Sequence, residues 1–173
     1  MSRLLYYLRY DWPLHLVMLL TSWLPNNVVF FRIRGLLARP FFGSCGANLR
    51  LGRNTTFYNA SNIRLGRDVY IALGCVLLGN GVLELGDQVM LGPYVVIATG
   101  NHTKVDGSYR FGRSEVAAVR IGYGSWIGAH STITSGSTIG RGCAIGSNAV
   151  VRGKIPDGSV AVGVPATVRK QHA

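Results

Sequence analysis

Between Ile121 and Val151 every sixth residue is a β-branched aliphatic, and glycine follows four of these six positions. The series is Ile121, Ile127, Ile133, Ile139, Ile145 and Val151. A period of six fits neither an α-helix, whose apolar residues recur at three and four, nor an alternating strand. It is typical of hexapeptide repeats that coil into a β-helix. In that fold each short strand turns one aliphatic side chain inward, and successive coils stack these side chains in a column.

Three earlier triplets keep the same spacing and extend the repeat toward the N-terminus. They are Cys45, Leu51 and Phe57, then Leu65, Ile71 and Leu77, then Leu85, Leu91 and Ile97, with a step of eight residues between triplets. This regularity predicts an all-β solenoid with three faces per coil and about five coils, over residues 45–64, 65–84, 85–98, 121–138 and 139–156. Cys45 is then a small core residue. By the same phase Ile133 points inward, and we expect a carboxylate to be tolerated better at Ser131.

Residues 1–44 do not follow the repeat and are predicted to form a helical segment ahead of the β-helix domain, residues 45–173. Residues 14–24 are an almost fully apolar run, Pro25 ends it, and residues 28–37 form a second apolar piece. Neither piece has the roughly 20 residues that span a bilayer. Two compatible interpretations stay open. The segment is a helical cap on the open end of the solenoid, or a helical hairpin lying in a membrane interface.

The positive charge of the chain is concentrated in the same region. Residues 1–67 hold nine basic residues and one acid, a net charge of +8, and residues 68–173 hold nine basic residues and six acids, a net charge of +3. A membrane surface explains charge and apolar runs together better than a nucleic acid, for which the sequence has no motif. We therefore expect a cytoplasmic protein, held on the inner face of the cytoplasmic membrane through residues 1–40, with no nucleic-acid partner.

The three cysteines, Cys45, Cys75 and Cys143, show no metal-ligand spacing and leave an odd thiol over. This pattern favours a reduced compartment and gives no reason to expect a metal.

Residues 99–120 break the period and are expected to leave the prism as an excursion loop. The loop is polar and carries His102 near its base. Loops raised from a rigid scaffold are where binding and catalysis usually lie, so Asn101, Asp106 and Tyr109 are candidates for binding an acceptor. His130 falls within a regular coil, and we expect it to be a corner residue that points outward.

Four motifs in the C-terminal half resemble those of the hexapeptide-repeat acyltransferases. They are Gly124–Ile133, Ile145–Val151, Ile155-Pro156 and Gly163-Val164-Pro165-Ala166. Within that superfamily the chain is most similar to the galactoside and maltose O-acetyltransferases and to the O-acetyltransferases of polysaccharide biosynthesis, over about residues 45–170. The resemblance implies a left-handed parallel β-helix and a homotrimer, with acetyl-CoA in a groove between neighbouring prisms and a sugar or glycan as acceptor.

The resemblance also implies the residues of the site. Thr99-Gly100-Asn101-His102 matches the motif of the catalytic histidine, and the amide of Ala129 matches a backbone donor of the family. Contacts to coenzyme A are implied for Trp126, Gly128, Ala129 and Ser147, with Arg152, Lys154 and Arg169 as basic groups for its phosphates. Two departures leave the acceptor open. Residues 71–76 hold no asparagine, and Arg152-Gly153 stands where the galactoside enzymes have a Thr-Lys pair.

These residues predict an acetyl-CoA-dependent O-acetyltransferase. His102 would act as general base, because a sugar hydroxyl must lose its proton as it attacks the thioester, and Ala129 would stabilise the oxyanion. Two alternatives remain: an N-acetyltransferase acting on an amino sugar or its nucleotide, and a non-catalytic β-helix scaffold. A zinc hydratase of the same architecture needs three histidine ligands, and the repeat region holds only His102 and His130.

Overall fold

A computed structural model of the chain describes residues 3–171. Its N-terminal part is helical and contains α1 (Arg3–Tyr6), a π-helical turn (Tyr7–Asp11), α2 (Trp12–Leu20), α3 (Val28–Ala38) and a 3₁₀ turn (Arg39–Phe41). Asn27 begins α3, since its Oδ1 accepts a hydrogen bond of 3.0 Å from the N–H of Phe30. No helix among the described residues is both long and apolar enough to cross a bilayer.

From Ser44 onward the chain coils into a solenoid with three parallel sheets, and its strands are numbered in chain order. Sheet A contains β1 (Ser44–Cys45), β4 (Ile63–Leu65), β7 (Leu83–Leu85), β12 (Val119–Ile121), β15 (Thr138–Ile139) and β18 (Lys154–Ile155). Sheet B contains β2 (Arg50–Leu51), β5 (Tyr70–Ile71), β8 (Met90–Leu91), β13 (Trp126–Ile127), β16 (Ala144–Ile145), β19 (Ser159–Val162) and the antiparallel β20 (Thr167–Gln171). Sheet C contains β3 (Thr56–Tyr58), β6 (Val76–Leu78), β9 (Val96–Ala98), β14 (Thr132–Ile133) and β17 (Val150–Val151).

The register between coils stacks the repeat's aliphatic side chains on one another. Ile127 pairs with Leu91 in the coil before and with Ile145 in the coil after. All three side chains are fully buried, as is Ile133 on the next face. The six-residue phase and the solenoid of about five coils are therefore confirmed, and β18 and β19 begin a sixth coil.

Each face has a second inward position, two residues before the aliphatic. Ser125, Ser131 and Ser137 occupy it and are fully buried. Their hydroxyls donate to carbonyls of the next coil, as from Ser131 Oγ to Gly146 O at 2.9 Å. Ser131 is therefore also an inward position, which removes the reason to expect better tolerance of a carboxylate there than at Ile133, because the period of six marks only the aliphatic position. Ser159 Oγ occupies this position in the last coil and is buried without a hydrogen-bond partner, because no further coil supplies the carbonyl.

The corners between faces use left-handed backbone. Tyr94, His130 and Asn148 have φ of 59°, 59° and 58° at the corner that follows sheet B in successive coils. Each donates its N–H to the preceding coil, as His130 does to Pro93 O at 2.9 Å. This conformation is costly for most side chains and turns the chain sharply. His130 is exposed and stacks on Tyr94 with ring centroids 5.0 Å apart, so the expectation of an outward corner residue is confirmed.

The helices cover the open end of the first coil. Helix α3 lies directly on the chain leading into β2, since a Cβ at Gly35 would overlap the carbonyl of Leu49. Leu14 and Met18 of α2 and Ala38 of α3 are buried in the same core cluster as the solenoid. Cys45 is half-buried against that cluster, and burial raises the pKa of its thiol to about 11. The inner faces of the helices therefore form a cap.

Arg34 locks this cap through a fully buried guanidinium. Its Nη2 donates to Leu24 O at 2.6 Å and to Pro25 O at 3.2 Å, and its Nη1 donates to Asn26 Oδ1 at 3.2 Å and to Leu51 O at 3.4 Å. A buried guanidinium persists only when its donors are satisfied. Arg34 thus joins the turn between α2 and α3 to the first coil.

Candidate active site

The excursion leaves the prism at the end of β9 and is an ordered hairpin. β10 (Gly100–His102) pairs antiparallel with β11 (Ser114–Val116), with His102 opposite Ser114. At the tip Val105 and Ser108 exchange two backbone hydrogen bonds of 2.9 Å around Asp106 and Gly107. Asp106 and Gly107 have φ of 48° and 81°, as a tight Asp-Gly hairpin turn requires. The excursion that was predicted as a loop is therefore a folded hairpin, which holds β10 and its His102 in a defined position.

Thr99 anchors the hairpin to the solenoid. Its side chain is fully buried. Its Oγ1 donates to Leu78 O at 2.8 Å and accepts from the N–H of Gly81 at 2.7 Å. Its carbonyl accepts hydrogen bonds from Ala117 N–H and Ser135 Oγ, each at 3.0 Å. Both ends of the excursion are thus held by one threonine, three residues before His102.

His102 is exposed at the base of the hairpin. Within residues 3–171 its imidazole forms no hydrogen bond or ion pair, so both ring nitrogens are available to a ligand. Asn101 is exposed opposite Glu115, and Asp106 lies at the turn. Tyr109 is exposed, with the Lys104 ammonium 5.9 Å from its ring centroid.

The residues predicted to contact coenzyme A lie on sheet B and at the corner that follows it. They are Trp126, Gly128, Ala129 and Ser147. The Trp126 side chain is 52% exposed on the outer face of sheet B. The Ala129 N–H has no acceptor among the described residues. By contrast, the amides of Arg67 and Arg141, which also follow a corner glycine, are bound by Asp87 at 2.8 Å and Asp157 at 2.9 Å. An unpaired amide on a fixed corner is a suitable donor to an oxyanion.

Gly128 brings two coils into close contact at this corner. A Cβ at residue 128 would lie 2.6 Å from the nitrogen of Ser147, so a larger residue would displace the exposed Ser147 of the next coil. The corner therefore presents a narrow surface of small residues beside Trp126. Such a surface suits a flat or extended ligand.

The three basic residues predicted to meet phosphates do not lie on one face. Arg152 follows β17 of sheet C, Lys154 is exposed on sheet A, and Arg169 is exposed on β20 beside sheet B. Arg169 is the extra residue of a β-bulge, because Val160 pairs with Lys170 and Ala161 pairs with Val168. A bulge redirects the side chain at that point.

A single chain keeps the two halves of the predicted catalytic pair apart. His102 follows the C-terminal ends of the strands of sheet C, and Ala129 precedes their N-terminal ends. A six-residue face at about 3.3 Å per residue separates these corners by roughly 15–20 Å. That distance is beyond the reach of a hydrogen bond.

The buried thiols are poor nucleophiles. Cys75 and Cys143 lie inside the solenoid, and burial raises the pKa of the Cys75 thiol to about 11. Residues 3–171 contain no group of three histidine, cysteine, aspartate or glutamate side chains placed to hold a metal ion. His102 is the exposed imidazole that the hairpin projects from the coils.

Two features of the site were missed in the sequence. The role of Thr99 depends on hydrogen bonds to residues 18 and 21 positions away, which a local motif does not reveal. Asn59 and Asn80 form a ladder at the corner that leads to Gly100, with Asn59 Nδ2 donating to Asn80 Oδ1 at 3.1 Å. The sequence did contain a signal for this pair, because the two asparagines are about twenty residues apart, the length of one coil.

A parallel β-helix of hexapeptide repeats is the fold of the hexapeptide acyltransferases. Residues 118–153 match the family model described as bacterial transferase hexapeptide (six repeats). The galactoside O-acetyltransferase of Escherichia coli K12 is 30% identical over 138 residues, 80% of this chain and 68% of that protein. The chain belongs to the hexapeptide transferase family, and its hexapeptide repeat indicates a left-handed coil.

Other relatives differ in length. A protein of Escherichia coli K12 named as a lipopolysaccharide biosynthesis O-acetyl transferase, WbbJ, is 30% identical over 79% of this chain and 84% of its own length. A protein of Mycobacterium tuberculosis H37Rv named as an acetyltransferase is 37% identical over 73% of this chain, which spans 45% of that relative. A solved galactoside acetyltransferase in complex with coenzyme A is 27% identical, with a TM-score of 0.81, 91% of this chain covered and 78% of the other.

Proposed function

We propose that the protein transfers the acetyl group of acetyl-CoA to a hydroxyl of a sugar or polysaccharide precursor. The observation that carries this proposal is an exposed, unpaired His102 on a hairpin fixed by Thr99. Relatives named as galactoside and lipopolysaccharide O-acetyltransferases support the sugar acceptor. A similar solved structure in complex with coenzyme A supports the donor.

The reaction needs a base and an oxyanion donor. His102 takes the proton of the sugar hydroxyl as its oxygen attacks the thioester carbonyl carbon. The Ala129 N–H donates to the oxyanion of the tetrahedral intermediate. When the intermediate collapses, the carbon–sulfur bond breaks, the coenzyme A thiolate leaves and takes the proton that His102 holds, and the acetyl ester remains on the sugar. The thiols inside the solenoid take no part.

The donor and acceptor would lie along different surfaces. Trp126, Gly128 and Ser147 offer an apolar side chain and a narrow corner for the pantetheine arm of acetyl-CoA. Arg169, beside sheet B, is an exposed cation available to its phosphates, and Arg152 and Lys154 on the other two faces would reach them from a neighbouring copy. On the acceptor side Asn101, Asp106 and Tyr109 provide polar and aromatic groups along the hairpin.

We infer that the working enzyme is a homotrimer. His102 and Ala129 lie at opposite corners of sheet C in one chain, so an acetyl group held by one chain cannot meet both. A second copy packed beside the first places His102 of one prism near Ala129 of its neighbour. The exposed Trp126 and Met90 on sheet B are apolar side chains that such packing would cover.

We also propose that residues 1–40 hold the enzyme on the inner face of the cytoplasmic membrane. The outer faces of α2 and α3 and the turn between them expose large apolar side chains, among them Leu16, Leu19, Leu20, Trp23, Val28, Val29, Leu36 and Leu37. Arg9, Arg32 and Arg39 are exposed on the same segment. Apolar side chains beside arginines suit an anionic membrane interface.

The test is acetyl transfer from acetyl-CoA to a panel of sugars, nucleotide sugars and lipid-linked oligosaccharides. The reaction is monitored by the release of the free thiol of coenzyme A. We expect a product that loses acetate in mild alkali, as an ester does. An alkali-stable amide on an amino sugar would show N-acetylation instead. Absence of transfer to every acceptor by protein that binds acetyl-CoA would contradict the proposal and favour a scaffold.

A further inference from the structure

A cleft of about 770 Å³ lies between α2 and the first strand of sheet C. This volume is that of a small-molecule site, about 300–1,000 Å³. One wall carries the apolar Trp12, Met18 and Leu19, and the floor carries Thr56 and Phe57 of β3. The apolar Leu14 and polar side chains, among them Asp11 and Asn59, line the rest of the cleft. An amphipathic ligand with an apolar chain fits such a lining.

The cleft is continuous with the proposed membrane surface. Trp12 and Leu19 line the cleft and are each more than half exposed, so their outer edges belong to the apolar face of the helices. Arg53 is exposed and adjoins the lining residue Asn54, and its backbone N–H is held by Asn26 Oδ1 at 3.0 Å. Residues 1–67 carry a net charge of +8, which complements an anionic lipid headgroup.

A polar ladder leads from the cleft to the hairpin. Asn59 lines the cleft and donates to Asn80 Oδ1 at 3.1 Å. The Asn80 amide nitrogen lies 2.8 Å from the position of a Cβ at Gly100, two residues before His102. Because β3, β6 and β9 are neighbours in sheet C, the ladder climbs two strand spacings, about 10 Å. Hydroxyl-rich ligands find alternating amide donors and acceptors along this path.

We propose that the acceptor is a glycolipid, whose apolar chain lies in the α2–β3 cleft and whose sugar extends along Asn59 and Asn80 to His102. This inference rests on the acetyl transfer proposed at His102. The cleft then holds a membrane lipid that bears a sugar, and the reacting hydroxyl lies about two coils from the bilayer surface.

The first test detects binding without catalysis. The probe is dodecyl glucoside with a diazirine at the end of its alkyl chain, applied to full-length protein below the micelle concentration. After irradiation we expect adducts in residues 14–22 and 54–59, suppressed by excess dodecyl glucoside. Thr56→Trp, which fills the floor, and Leu19→Arg, which charges the exposed wall, should both lose these adducts, whereas the isosteric Thr56→Val should keep them. Adducts spread over the outer face of α3 and unchanged in both variants would overturn the proposal.

The second test compares matched acceptors in the acetyl-transfer assay. Dodecyl glycosides should show at least about tenfold higher kcat/KM than the methyl glycosides of the same sugars, through KM, because several methylenes leave water. Thr56→Trp should remove this advantage, whereas Thr56→Val should keep it. Equal kcat/KM for both acceptors would overturn the glycolipid assignment while acetyl transfer stands. Adducts in the cleft without transfer to any acceptor would instead contradict the proposed function.

Discussion

The second inward position of the repeat sets the sensitivity of the core to charge. Ser131 is fully buried and donates to Gly146 O at 2.9 Å. An ionised carboxylate at position 131 would lose its hydration. It would face the carbonyl oxygen of Gly146 instead of a hydrogen-bond donor, which costs several kcal/mol. We therefore predict that Ser131→Asp destabilises the solenoid about as severely as Ile133→Asp, measured by chemical denaturation.

Asn148→Asp is the matched control for that prediction. Asn148 is an exposed corner residue with φ of 58°, a conformation that aspartate also tolerates. The free energy of unfolding should change by less than about 0.5 kcal/mol. If Ser131→Asp were as harmless as the control, the second inward position would not be buried in solution.

Thr99 is a positioning residue for His102. Thr99→Val keeps the shape of the side chain but leaves the Gly81 N–H unpaired, at a cost of about 1–3 kcal/mol. We expect kcat to fall while the Kd for acetyl-CoA stays unchanged, and we expect Thr99→Ser to restore kcat because it keeps the hydroxyl. A Thr99→Val enzyme with normal kcat would show that the hairpin does not depend on this anchor.

For single residues, the sequence predicted the orientation of a side chain wherever a residue type repeats. Ile133 was assigned inward by its phase alone. Ser131 was not, because small polar residues are equally common at corners, and only the stacked carbonyl of Gly146 distinguishes the two. His102 was found through its excursion and its motif. The contacts of Arg34 could not be foreseen, because a single arginine within an apolar run gives no indication of the carbonyls that surround it.

Among the elements, α3 depends on close approach to the first coil. A Cβ at Gly35 would overlap the carbonyl of Leu49, so Gly35→Ala must lift the helix from the coil. We predict a loss of about 1–3 kcal/mol in the free energy of unfolding, measured by denaturation and by faster proteolysis within residues 21–27.

Leu37→Ala is the control for this helix, since Leu37 is exposed and alanine keeps the helix propensity. It should change stability by less than about 0.5 kcal/mol. Equal stability of Gly35→Ala and Leu37→Ala would contradict the tight packing of α3 on the solenoid.

The elements also show what periodicity can and cannot predict. The coils from Cys45 to Ile155 followed from spacing, because stacking imposes the same step on every coil. The strands β10 and β11 did not, since an exposed hairpin has no core that imposes a hydrophobic period. The inner faces of the N-terminal helices pack on the solenoid, and the proposed membrane contact concerns their outer faces. Leu14 and Met18 face the solenoid, and Leu20 and Trp23 face outward.

For the whole molecule, membrane binding can be tested without removing the cap. Leu20→Glu, Trp23→Glu and Leu36→Glu change exposed side chains, Trp23 being 76% exposed. We predict that wild-type protein sediments with anionic vesicles and that the triple variant stays in solution. High salt should weaken wild-type binding without abolishing it, because apolar insertion persists when charge is screened.

Val164→Glu is the control for the vesicle experiment. Val164 is exposed at the opposite end of the solenoid, so this change adds one negative charge far from the helices. The variant should sediment like wild-type protein. Equal sedimentation of the triple variant and wild-type protein would show that the outer faces of the helices do not contact the membrane.

The central claim is that His102 is the base in an acetyl transfer. The most direct measurement is kcat for the best acceptor of the panel, together with the Kd for acetyl-CoA, in His102→Ala and in His130→Asn. We predict that His102→Ala lowers kcat by about 10² to 10⁴-fold and leaves the Kd unchanged. His130→Asn, which keeps a left-handed corner, should stay near wild type. Near-normal turnover in His102→Ala would show that His102 is not the base.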